Sequence, residues 1–148
     1  MHMPDPQLVV GRMVAALRIG GWLLIEDIDV PSLRAVEATH PLAESFDRQY
    51  REVLDRIAQA RLFHLDMGRR VRGLLEDAGL TAIDNEGVSR IARGGEAEAR
   101  IMCMTLQAWM ERGILSAAEY TALHSAFLDP SFSFIMRTTF AAWGKRAS

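Results

Sequence analysis

Three carboxylates, Glu26, Asp27 and Asp29, close the apolar run Trp22-Leu23-Leu24-Ile25 and form the densest set of reactive groups in the chain. If that run is a strand of an open α/β sheet, they lie at its C-terminal end, where such sheets bind ligands. A carboxylate there could orient a substrate or act as a general base. The plainer alternative is a solvated strand end that caps the next element. Tyr50, Arg90 and Trp109 complete the candidate substrate-binding set. Trp109 lies in a segment with Ile101, Met102, Met104, Leu106 and Met110 that is apolar over more than one helical face. Such a helix could roof an apolar pocket, since methionine suits adaptable surfaces, or it could be ordinary core or subunit interface.

Other reactive side chains carry less. His2, His40, His64 and His124 are scattered, without the close spacings of a metal site. His64, between Phe63 and Leu65, reads as a packed or hydrogen-bonded ring rather than a base. Cys103 reads as an inert buried thiol; as the single cysteine it leaves no internal disulfide and fits a reducing compartment. The cluster Arg69, Arg70 and Arg72 reads as the solvated side of a helix rather than an anion site.

A chain of 148 residues, 49% hydrophobic, fits one domain spanning 1–148 and excludes a disordered tail. With 17 basic against 19 acidic residues it lacks the basic face of a nucleic-acid-binding module. No apolar run approaches the roughly 20 residues that span a bilayer, and no basic-then-apolar leader opens the sequence. A cytoplasmic protein, bound to neither nucleic acid nor membrane, is the expectation.

The elements that must position these residues follow from spacing. Asp5 caps a helix with Pro6 at its first position, and Gly20-Gly21 stops it. Trp22 to Ile25 then reads as a strand buried on both faces, typical of a parallel α/β sheet. From Val30 to Pro41 a loop with a short helical piece is expected. Helices are expected over Ala43–Leu62, from Asp66 to Gly79, over Glu96–Arg112, and from a capping box at Ser116 and Glu119 to Leu128. Leu80–Ile91 and Ser131–Trp143 read as strands.

The ordered series His2-Met3-Pro4-Asp5-Pro6, an amphipathic helix, Arg18-Ile19-Gly20-Gly21 and a strand ending in acidic residues resembles one segment of class I S-adenosylmethionine (SAM) methyltransferases. In that family a loop reading roughly H-x-P-D-P follows the fourth strand, then a helix, an L-x-P-G-G turn and a fifth strand ending near E-D. Ile19 stands where the family usually has proline. Leu74 to Leu80 is similar to the family's L-x-x-A-G-L helix end, and Trp143-Gly144-Lys145 to the W-G-R/K ending of its seventh strand. The helix pair joined at Gly113-Ile114-Leu115-Ser116 and ending at Asp129-Pro130 looks like the small-molecule branch.

The resemblance covers essentially the whole chain and implies an α/β fold: a partial, Rossmann-like methyltransferase with about three strands, equivalent to the family's fifth, seventh and sixth, and about five helices. Methyl would pass in line from a sulfonium to a substrate O, N or C, with catalysis mainly by positioning. SAM is the family's cofactor, held by a G-x-G-x-G loop where backbone approaches the ligand closely. None of the 11 glycines here forms that loop. The expectation is therefore a truncated, substrate-side half, inactive alone, with cofactor-binding and catalytic residues unassigned. The alternative is a non-catalytic oligomerising or ligand-binding module derived from such an enzyme. Without a fourth strand the Trp22–Ile28 edge would be bare. Bare apolar edges pair with other chains. A homodimer, or a chain supplying the missing strands, is expected to cover it.

Overall fold

The computed structural model describes residues 3–147, so His2 of the opening motif lies outside them. In chain order the elements are α1 (Pro6–Ala16), β1 (Trp22–Asp29), a 3₁₀ turn (Val30–Ser32), β2 (Arg34–Ala35), α2 (Ala43–Gln59), α3 (Met67–Asp77), β3 (Leu80–Val88), β4 (Ile91–Arg93), α4 (Ala97–Glu111), α5 (Ala117–Leu128), β5 (Ser133–Ile135) and β6 (Thr138–Arg146). They form a mixed α/β protein with two three-stranded antiparallel sheets. The chain separates into two compact units, one of Met1–Val30, Leu62–Val88 and Thr138–Ser148, the other of Pro31–Arg61 and Ser89–Arg137.

The first unit holds the sheet β1-β6-β3, with the last strand in the middle and antiparallel to both neighbours. β1 and β3 therefore run in the same direction without pairing, and the parallel sheet expected from β1 is corrected. The side chains of Leu23 and Ile25 pack with Ala142, Phe140 and Leu80 against Val71, Leu74 and Leu75 of α3 and Val10 of α1. The opposite face stays open: Trp22 is 55% and Leu24 59% exposed. Burial of β1 on both faces is thus also corrected, because the helices packed on this sheet cover only its Leu23 face.

Local chemistry explains these elements. The Asp5 carboxylate accepts from the Leu8 amide at 3.0 Å and Pro6 opens α1, as the sequence predicts. The helix stops at Leu17, in extended geometry, ahead of the glycines; Gly20 then turns the chain at φ 75°. The Arg146 guanidinium donates to the carbonyls of Val14, Ala15 and Leu17, satisfying the acceptors that a helix C-terminus leaves open. Gly68 lets α3 start against the end of β1. A Cβ there would stand 2.7 Å from the Ile28 carbonyl carbon and 2.8 Å from Asp27 O and Asp29 N.

The second unit is held by aromatic rings. Phe46 of α2 meets Phe127 of α5 edge-on at 5.2 Å and Phe132 at 4.9 Å, and Phe127 meets Phe134 of β5 at 4.8 Å. Tilted and edge-on pairs place ring edges on the electron-rich faces of their neighbours. The small sheet β2-β5-β4 carries Phe134, and Arg56 of α2 bridges Glu119 of α5 at 2.7 Å. The Ser116–Glu119 capping box is formed in both directions. The two long strands read from the sequence each divide: Leu80–Ile91 breaks into β3 and β4, and Ser131–Trp143 into β5 and β6. Both breaks fall where the chain passes between units. Both sides of each break are strand-forming, so no residue pattern announces the change of sheet.

Candidate functional site

Glu26, Asp27 and Asp29 do stand at the C-terminal end of β1, but they are not an open carboxylate cluster. Asp29 faces the core at 2% exposure, and Arg69 of α3 grips it with both arms, Nε to Oδ1 at 2.7 Å and Nη2 to Oδ2 at 2.5 Å. The bond to Asp29 pushes the Arg69 pKa up, locking the cation. A buried carboxylate needs such a partner, and the glycine beside Arg69 lets the helix come close enough to supply it. Asp27 Oδ1 accepts from the amide of the next residue, Ile28, at 2.7 Å. Glu26 lies on the open face of the sheet and is exposed. The other two arginines of the cluster are also engaged, Arg70 beside Asp66 at 3.8 Å and Arg72 with Glu76 at 2.8 Å and Asn85 at 2.7 Å.

Tyr50, Trp109 and Arg90 belong to the second unit. The structure brings the first two together: their rings stack at 6.4 Å and 27°, and both are buried. Phe46 lies parallel to Tyr50 on the same helix at 6.1 Å. The Tyr50 hydroxyl is buried without a hydrogen-bond partner. Burial pushes its pKa well above the ordinary phenol range, and the positive charge of Arg137 pulls the other way. An unpaired buried hydroxyl is costly, so this is the strongest polar anomaly of the unit. Arg90 stays outside, ion-paired with Glu98 at 3.1 Å, while its carbonyl accepts from the Met136 amide.

Sequence reasoning missed Arg137 and the role of Arg69. The signal for Arg137 was a lone cation inside the apolar run Phe132 to Phe140. For Arg69 it was the adjacent Gly68, whose reason appears only when helix meets strand. The histidines divide as their neighbours dictate. His40 Nε2 lies 3.2 Å from Ser131 Oγ with its ring against Phe132, and His124 lies against Tyr120. His64 is half-buried. Burial pushes the Cys103 thiol up, away from the thiolate form that reacts.

Of the α4 residues that could roof a pocket, Met102, Leu106 and Trp109 are buried in the core, whereas Ile101 and Met104 face solvent. An open groove of about 500 Å³ runs along the charged face of α2, lined by Glu44, Asp47, Arg48, Arg51, Glu52 and Asp55. It involves none of the six candidates.

No family model and no curated protein matches the chain. Among solved structures, it is similar to Haemonchus contortus phosphoethanolamine N-methyltransferase 2 in complex with phosphomonomethylethanolamine and S-adenosylhomocysteine. The likeness has 18% identity and a TM-score of 0.41, and covers 98% of this chain and 31% of that one. The chain thus spans under a third of that methyltransferase. No helix among the described residues is long and apolar enough to cross a membrane.

Proposed function

We propose that the chain is the substrate-side portion of a SAM-dependent methyltransferase of the small-molecule branch, inactive by itself. The observation that carries this reading is the sheet order β1-β6-β3, with the last strand inserted antiparallel between two co-directional strands. The family that the motifs resemble orders its fifth, seventh and sixth strands in the same way, which supports the reading. The motifs occupy matching positions: the Gly20-Gly21 turn enters β1, and Trp143-Gly144-Lys145 ends β6. Gly144 fits closely there, since a Cβ would stand 3.0 Å from Leu80 and Ile83 on the core face.

The residues present do not fit SAM. The glycine pair that leads from a strand into a helix, Gly94-Gly95 between β4 and α4, is filled by the chain itself, because a Cβ on Gly94 would lie 2.0 Å from the Asp129 carbonyl oxygen. No transfer step is therefore assigned to these side chains. Of the candidate substrate contacts, Tyr50 and Trp109 form a buried pair that includes the unpaired Tyr50 hydroxyl, whereas Asp29 is bound to Arg69. A non-catalytic oligomerising module is the second reading, favoured by the open β1 edge. In both, a partner chain covers that edge.

Titration of SAM into the purified chain by calorimetry tests the proposal. No heat of binding up to millimolar SAM is the expected result. Micromolar binding would overturn it, by showing that the cofactor site is complete without further strands.

A further inference from the structure

We propose that β1 pairs antiparallel with β1 of a second copy across a two-fold axis at Leu24, joining two three-stranded sheets into one of six. The inference rests on the edge-sealing part of the reading above and not on its cofactor chemistry.

The ladder says which groups are free to pair. The Arg146 amide donates to the Gly21 carbonyl at 2.8 Å, and register runs from Trp22 opposite Lys145 to Asp29 opposite Thr138. In an antiparallel ladder alternate residues turn both backbone groups to one side. Leu23, Ile25 and Asp27 therefore address β6, and Trp22, Leu24, Glu26 and Ile28 address the open edge. The last of these is already closed, because Asp27 Oδ1 holds the Ile28 amide. The edge offered to a partner is thus Trp22 to Glu26, and its midpoint is Leu24.

Pairing this segment with itself sets Leu24 against Leu24 and Trp22 against Glu26 of the second copy. Lys145 is the cross-strand neighbour of Trp22 on the same face and is exposed. Each copy's Glu26 then enters the row that holds the other's Trp22 and Lys145, so opposite charges share a row at both ends. A shift to an axis at Ile25 would set Leu24 against Glu26 and require the Ile28 amide that Asp27 holds. Trp22 and Leu24, over half exposed, supply the apolar centre.

The other edge of the sheet is protected differently. β3 carries a register break between Thr81 and Asp84, with Ala82 at φ 50°, and Asp84 Oδ1 holds the outward Asn85 amide at 2.8 Å. Bulges and caps of this kind discourage pairing, so association is directed to β1.

The test is the mass in solution by light scattering together with disulfide trapping in a Cys103→Ser background. The unsubstituted chain is expected to be a dimer. Leu24→Cys should become a covalent dimer under mild oxidation, since facing residues of such a pair stand about 5.5 Å apart at Cα, within disulfide reach. Leu24→Lys sets two like charges on the axis and should weaken association by about tenfold or more while circular dichroism is unchanged. A monomeric chain overturns the proposal, as does a dimer that survives Leu24→Lys or that Leu24→Cys fails to trap. SAM titration reads a separate property, so either result can fail without the other.

Discussion

The two units solve the problem of burying apolar surface in different ways. In the second, six aromatic side chains from α2, α4, α5, β5 and the turn before β5 lie against one another, with Phe127, Phe132 and Phe134 fully buried. In the first, α1 and α3 cover the Leu23 face of a sheet whose other face shows Trp22 and Leu24 to solvent. The difference teaches where each unit is sensitive. Ring packing makes the second unit intolerant of lost volume at its centre. The first is intolerant where backbones touch and permissive on its open face.

The largest expected effect separates the two directly. Phe127→Ala should lower stability by about 3–5 kcal/mol, and Val88→Ala, at an exposed position of β3 in the first unit, by about 0.5 kcal/mol or less, both read by chemical denaturation at a fixed protein concentration. Comparable losses would break the contrast between a closed and a half-open core. Next in size is Gly68→Ala, where the added methyl meets three backbone atoms of β1. It should cost about 1–3 kcal/mol, against a gain of a few tenths for Gly73→Ala on the same helix, whose Cβ meets nothing within 4 Å.

The smallest effect concerns the anomaly inside the ring cluster. Tyr50→Phe removes a buried hydroxyl without a partner and should raise stability by about 1 kcal/mol. The raised phenol pKa also gives a pH dependence. Tyr50 stays neutral in the fold, so its ionisation costs the fold nothing below about pH 10, the ordinary value, and stability falls as pH rises further, when the unfolded chain ionises first. The variant should show a shallower alkaline decline. A loss of stability in Tyr50→Phe would mean that the hydroxyl has a partner in solution.

Helix existence was legible wherever apolar spacing was regular: Phe46, Tyr50, Val53, Leu54 and Ile57 form the buried side of α2, as read from their three- and four-residue intervals. The Ser116 and Asp5 caps were legible because capping depends on a few adjacent residues. Strand partners were less so. Trp22-Leu23-Leu24-Ile25 looks the same whether one face or two are covered, because an unbroken apolar run records hydrophobicity and not what packs against it. Of the candidate site, the stacking of Tyr50 on Trp109 brings together residues flagged independently, while the grip of Arg69 on Asp29 depends on a helix–strand approach 40 residues apart in sequence.

The central place of β6 sets the order in which the first unit can be built. β1 leaves the ribosome more than a hundred residues before the strand that pairs with it, and β3 about fifty before. Until Thr138–Arg146 is made, neither has a neighbour in the finished sheet. Contacts this distant along the chain form slowly and leave apolar strands exposed meanwhile. Nascent chains therefore carry Trp22-Leu23-Leu24-Ile25 without its β6 partner until Thr138–Arg146 has been made, the interval in which a chaperone would matter most.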